Sequence, residues 1–186
     1  MTLRFFRFLA CQLLLIFACV QAQAADAVDL TRARIEATED GYRLSASFAF
    51  ELNSALETSI QHGIDLYFTT EVEMTRPRWY WTDEKAVSSR RTVRLHYDAL
   101  VRQYSITVHG SIQRTYQSLD EALAEVRRSS WVIAPRGALE PGKTYNVALR
   151  FYMDGDYLKK PLQVNAINNS DWQLSSGKKT FTYRAE

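Results

Sequence analysis

The chain has 186 residues, of which 46% are apolar, 24% charged and 12% aromatic, with a formal net charge of +2. That length suits one ordinary domain, and so high an apolar and aromatic share, with only 7 Gly and 4 Pro, excludes disordered, low-complexity and collagen-like chains. An excess of two charges is far below the strongly basic balance of a nucleic-acid-binding domain.

Residues 1–25 differ in kind from the rest. Arg4 and Arg7 precede an apolar run from Phe8 to Val20, followed by Gln21-Ala22-Gln23-Ala24-Ala25. The run is well short of the roughly 20 residues needed to span a bilayer, and Ala22-Gln23-Ala24 has the small-x-small form of a signal-peptidase site, so the segment reads as a secretory signal peptide cleaved after Ala24 or Ala25. The expected location is the periplasm. Two alternatives stand beside it: an uncleaved N-terminal anchor, and a lipoprotein modified at Cys19, although Phe17 fits a lipobox poorly. Both cysteines, Cys11 and Cys19, fall in this segment, so residues 26–186, read as a single domain, hold no disulfide and have no transmembrane span.

From Asp29 onward, short alternating stretches rich in β-branched and aromatic residues predict antiparallel strands. Leu30–Ala37 and Tyr42–Leu52 flank the hairpin signal Asp40-Gly41. A short helix is predicted over 53–62, stopped by Gly63. Strands follow over Ile64–Met74 and Val87–Tyr97, then a hairpin of Tyr104–Val108 and Ser111–Tyr116 about His109-Gly110. Ser118 and Glu121 form a capping box opening an amphipathic helix over about 119–128, with acids early and Arg127 and Arg128 late. Trp131–Ala134 and Thr144–Met153 read as strands, and Trp172–Leu174 and Thr180–Tyr183 as a final pair turning at Gly177. The expected fold is mainly β: an antiparallel β-sandwich, immunoglobulin-like in general architecture, with one inserted helix.

Chemistry is sparse. No Ser sits in a Gly-x-Ser-x-Gly elbow and no Cys follows the signal segment, so nucleophilic hydrolases are disfavoured. His62, His96 and His109 form no metal-ligand spacing; His62 suits a helix end and His109 a turn. Asp154-Gly155-Asp156 lacks the further acids of a calcium loop and reads as a turn. The basic pairs Arg90-Arg91, Arg127-Arg128, Lys159-Lys160 and Lys178-Lys179 are scattered and balanced by acids, as a solvated surface would be. Asn168-Asn169-Ser170 matches a glycosylation acceptor, meaningful only in a eukaryotic secretory pathway. No catalytic residue, cofactor or metal site is expected, and no enzymatic activity.

The candidate interaction patch is Arg78, Trp79, Tyr80, Trp81 and Asp83. In an extended segment three consecutive aromatics point to both faces. The favoured expectation buries Trp79 and Trp81 as core anchors with Tyr80 outward beside Arg78; the other makes an aromatic-plus-arginine surface of the kind used in protein or glycan contacts.

The ordered set of Arg78-Trp79-Tyr80-Trp81, Leu95-His96-Tyr97-Asp98-Ala99-Leu100 with Arg102 and Tyr104, Ser118-Leu119-Asp120-Glu121-Ala122-Leu123, Lys160-Pro161-Leu162-Gln163-Val164 and Asp171-Trp172 resembles the bacterial secreted family called domain of unknown function 4390. The resemblance implies a Gram-negative exported protein with no assigned activity, catalytic residue or cofactor. It also implies a protein partner in the cell envelope, with a membrane sensor kinase of the nitrogen-regulation type as the candidate, because genes for such a kinase lie beside those of family members. The functional expectation is a periplasmic binding or interaction protein; the alternative is a small-ligand or saccharide-binding module using an aromatic platform.

Overall fold

The computed structural model describes residues 27–186 except 81, 109–110, 112 and 164–168. The predicted signal peptide with Cys11 and Cys19, Trp81 of the candidate patch, the His109-Gly110 turn and Asn168 lie outside the described residues.

Two antiparallel sheets face each other. The smaller has the order β1-β2-β7, from β1 (Asp29–Thr38), β2 (Gly41–Ala49) and β7 (Arg128–Ala134). The larger has the order β6-β5-β4-β3-β8-β9, from β3 (Leu66–Arg76), β4 (Glu84–Asp98), β5 (Gln103–Val108), β6 (Arg114–Tyr116), β8 (Thr144–Met153) and β9 (Lys179–Arg184). In immunoglobulin terms β1-β2-β7 stand as A-B-E and β5-β4-β3-β8-β9 as C″-C′-C-F-G, the order of a variable-type sandwich. The departure is β6, which pairs with β5 instead of joining the smaller sheet.

Alternation explains the core. Leu44, Ala46 and Phe48 of β2 face Phe68, Val72 and Met74 of β3 and Val147, Leu149 and Phe151 of β8, all buried, because residues two apart on a strand share one face. Antibody domains place a disulfide between strands B and F over a Trp. Here Phe151 fills that position, with ring centroids 4.6 Å from Phe48, 5.1 Å from Phe50 and 5.9 Å from Phe68. Aromatic burial replaces the covalent link.

Two short capped helices pack on the sheets. Asn53 caps α1 (Ser54–Gln61), its Oδ1 accepting from Leu56 N–H at 3.0 Å while its Nδ2 donates to the Asp171 carbonyl. Ser118 caps α2 (Leu119–Val126), and Glu121 reaches back to the Gln117 N–H at 3.1 Å. The helix ends two residues before the predicted Arg128. Arg127 is its C-cap, and its guanidinium donates to the Phe50 carbonyl through Nε and Nη2 instead of lying on a solvated face.

Two strand expectations are corrected. Residues 172–174 form no strand with Thr180–Tyr183: Ser170–Trp172 is a single 3₁₀ turn that buries Trp172, and β9 pairs with β8. The expected Ser111–Tyr116 strand shrinks to Arg114–Tyr116.

Candidate functional site

The aromatic candidate patch lies on the β3–β4 connection. Pro77 has no N–H to continue the ladder, and Arg76↔Glu84 is the last cross-strand pair. At that point charge takes over from backbone pairing. Glu84 accepts from the guanidiniums of both Arg76 and Arg78, and Arg76 also donates to Glu140 in the β7–β8 connection. The Glu140 N–H in turn donates to the hydroxyl of buried Tyr145 at 2.9 Å. The base of the loop is thus tied through Glu140 to a fully buried side chain. The hydrogen bonds from Arg78 and Arg76 hold the Glu84 carboxyl below its ordinary pKa and the bonds to Glu84 and Glu140 raise that of Arg76, so both of these groups stay charged.

Above this base Trp79 is 93% exposed and Tyr80 67% exposed. Their rings touch edge to face, with centroids 4.9 Å apart and planes at 71°. Thr82 and Asp83 are also exposed. The expectation that Trp79 is a core anchor opposite Tyr80 is therefore corrected. Alternation holds only inside a paired strand, and these residues lie past the last pair, so nothing directs either ring over the sheet. Arg78 belongs to the base and Trp79 and Tyr80 to the tip; Asp83 takes part in no ion pair among the described residues.

The other candidates resolve into structural roles. His62 caps α1, its N–H donating to the Thr58 carbonyl at 3.1 Å. His96 Nδ1 lies 2.7 Å from Asp65, which also pairs with Arg94 at 2.8 Å. Asp154 is buried with a partner at each oxygen: Thr69 Oγ1 donates to one at 3.0 Å and the Asp156 N–H to the other at 3.2 Å, the turn expected from sequence. Among the described residues no three His, Cys, Asp or Glu side chains group to hold a metal ion.

A second feature escaped the sequence. β5 pairs with β4 only from Val93 to Asp98, leaving the Glu84–Thr92 half without that neighbour, and β7 has one edge unpaired. The two meet through a polar seam. Trp131 Nε1 donates to Ser89 Oγ at 2.9 Å and Arg91 Nη1 donates to the Ser130 carbonyl at 2.5 Å, while behind them Ser129 Oγ lies 3.0 Å from Thr70 Oγ1 of β3. Along this seam runs an open groove of about 900 Å³ holding Arg43, Arg90, Arg91 and Arg94. Arg90-Arg91 had the look of one scattered basic pair; Arg43, distant in sequence, joins it because β2 lies beside β7.

No helix among the described residues is long and apolar enough to cross a membrane. No curated protein and no solved structure matches the chain. A family model described as domain of unknown function (DUF4390) matches residues 25–182, the whole two-sheet unit up to the middle of β9. The chain belongs to the DUF4390 family.

Proposed function

We propose that this protein is an exported periplasmic binding module without catalytic activity, and that the β3–β4 loop is its contact surface for a protein partner in the cell envelope, with a membrane sensor kinase as the candidate. The observation that carries this reading is Trp79, 93% exposed at the tip of a loop whose base is locked by Arg76, Arg78, Glu84 and Glu140. Leaving a large aromatic ring in water forgoes roughly 2–3 kcal/mol of burial, and Trp and Tyr beside Arg are the residues that most often anchor protein interfaces. The fixed base limits the conformational entropy lost when the tip docks. The edge-to-face packing of Trp79 on Tyr80 makes a wedge and not a flat platform, which favours insertion into a partner's pocket over stacking on a sugar ring. Preferential docking to one signalling state of a sensor would shift its equilibrium.

Site-directed photocrosslinking from position 82 in intact cells tests the reading. A specific inner-membrane protein is expected in the wild-type capture, and Trp79→Ala with Tyr80→Ala should reduce it at least tenfold while the protein stays folded. Undiminished capture in the double variant removes the proposed contact. Capture replaced by a saccharide-dependent change in tryptophan fluorescence transfers the tip to the platform reading.

A further inference from the structure

Elsewhere on the larger sheet, several cations meet acids. Lys85 pairs with Glu73 at 2.8 Å and Lys178 with the same carboxylate at 3.8 Å, while Arg76 and Arg78 share Glu84. The groove between β4 and β7 breaks that pattern. Its lining among the described residues includes four arginines and no acid, and it wraps the bare edge of β4, so that the adjacent Arg90 and Arg91, on opposite faces of the strand, both reach it. Among the described residues Arg94 pairs with Asp65 at 2.8 Å, and Arg43 has only a long contact with the exposed Asp40 at 3.9 Å. The Arg90 side chain makes no ion pair and no hydrogen bond among the described residues, although Glu71 is its cross-strand neighbour on β3. Arg91 spends one nitrogen on the Ser130 carbonyl, a neutral acceptor, and burial pushes its guanidinium below the ordinary pKa, more than the more distant charge of Glu125 raises it.

The rest of the lining suits a ligand larger than an ion. Thr92, Thr107, Ser111 and Ser130 bring hydroxyls. Trp131 forms one wall, oriented by its hydrogen bond to Ser89, and Tyr67 with Tyr157, stacked at 5.0 Å, forms another. A single tetrahedral oxyanion fills only a small part of about 900 Å³, whereas a phosphate on an organic body would occupy both the cationic and the aromatic lining.

We propose that this groove is a binding site for a phosphate-bearing ligand, in which Arg90, Arg91 and Arg43 hold the oxyanion and Trp131 with the Tyr67–Tyr157 stack packs against the body that carries it. Guanidinium forks match the geometry of phosphate oxygens and bind them by charge-assisted hydrogen bonds. The same chemistry is offered by a soluble phosphate ester and by an anionic lipid headgroup. The groove is separate from the aromatic tip of the β3–β4 loop, so either site can exist without the other.

The test uses protein expressed from the full-length sequence and purified in the form the cell produces. Calorimetric titration with inorganic phosphate, pyrophosphate and phenyl phosphate is run beside flotation on phosphatidylcholine vesicles with and without phosphatidylglycerol. Phenyl phosphate is expected to bind more tightly than inorganic phosphate. Arg90→Glu should weaken the binding about tenfold or more, since it removes one fork and adds a repelling charge, whereas Arg184→Glu on β9 and Trp79→Ala should leave it unchanged. Arg90 is exposed and unpaired, so this variant should melt with the wild type; Arg43→Glu carries the same test independently. Binding of the soluble probes alone assigns a soluble ester, and binding confined to phosphatidylglycerol vesicles assigns a lipid headgroup, both sensitive to Arg90→Glu. Failure of every probe to bind, or binding that Arg90→Glu and Arg43→Glu both retain, overturns the proposal.

Discussion

Single residues hold the junctions of this fold. Gly41, at the β1–β2 turn, has φ +134°, and a Cβ built there would stand 2.2 Å from the Ala134 carbonyl oxygen and 3.0 Å from Pro135 Cα. Both obstacles are backbone, so the β1–β2 turn and the end of β7 can approach only because residue 41 has no side chain. Gly41→Ala is expected to destabilise the protein by about 2–4 kcal/mol, from the positive φ and the clash together, seen as a lower urea midpoint with unchanged slope. Gly63, also at positive φ but with nothing within 4 Å, should tolerate Asn with far smaller loss. The Asp40-Gly41 signal was readable as a turn from sequence alone. The contact with Ala134 was not, since it joins residues more than ninety positions apart.

Among the elements, the β3–β4 loop depends on Glu84. The carboxylate binds two guanidiniums, and exposed pairs of this kind each contribute less than about 1 kcal/mol. Glu84→Gln should therefore leave the melting temperature nearly unchanged while releasing Arg78 and loosening the tip. Time-resolved fluorescence anisotropy is expected to show faster tryptophan motion, and capture of the proposed partner should weaken although Trp79 and Tyr80 remain. Unchanged anisotropy would mean that Pro77 and the last strand pairs suffice to hold the loop. The loop also marks the limit of reading periodicity. β8, with Tyr145, Val147, Leu149 and Phe151 alternating, was legible to the residue because every side chain obeys the pleat. Trp79 was misread because the same rule was extended past Pro77, where no partner strand enforces it. Trp172 was placed in a strand on hydrophobicity, which a buried 3₁₀ turn satisfies equally well.

At the scale of the whole molecule, the titrating groups define a window of stability. Hydrogen bonds from Lys85 hold Glu73, and those from Arg78 and Arg76 hold Glu84, below the ordinary value of 4.5. A depressed folded-state pKa contributes stability above the unfolded value and loses it as pH falls through the folded one. Both carboxylates are largely solvated, so the acid-side loss should be shallow. Tyr67, Tyr104, Tyr152 and Tyr183 are all raised above 10.0, chiefly by burial, and Tyr152 further by its hydrogen bond to Glu71 at 2.8 Å. Here the folded state holds protons that the unfolded chain releases, so the contribution is complete below pH 10.0 and falls as pH rises beyond it. Thermal melts are expected to stay level with respect to these groups between about pH 5 and about pH 10, to decline gently below and to drop more steeply above. A midpoint that keeps rising above pH 10.0 would contradict the tyrosine assignment.

The sequence by itself determined the family, the antiparallel β class, both helices with their caps and most strand boundaries, because these rest on local rules: period-two alternation, Asx and Ser capping, and the turn chemistry of Asp-Gly. It also showed that Arg4 and Arg7 are the whole of the excess positive charge, so that residues 26–186 exert no long-range pull on anions. Only the tertiary structure decided where charge and aromatic surface are concentrated. Arg43 shares a groove with Arg90 and Arg91 because β7, paired to β2, lies along the half of β4 that β5 does not cover, with Arg94 just past the start of β5 pairing, and Glu140 reaches Arg76 because the β7–β8 connection lies beside the β3–β4 loop. These encounters between segments far apart in the chain follow from strand order, which local patterning cannot encode.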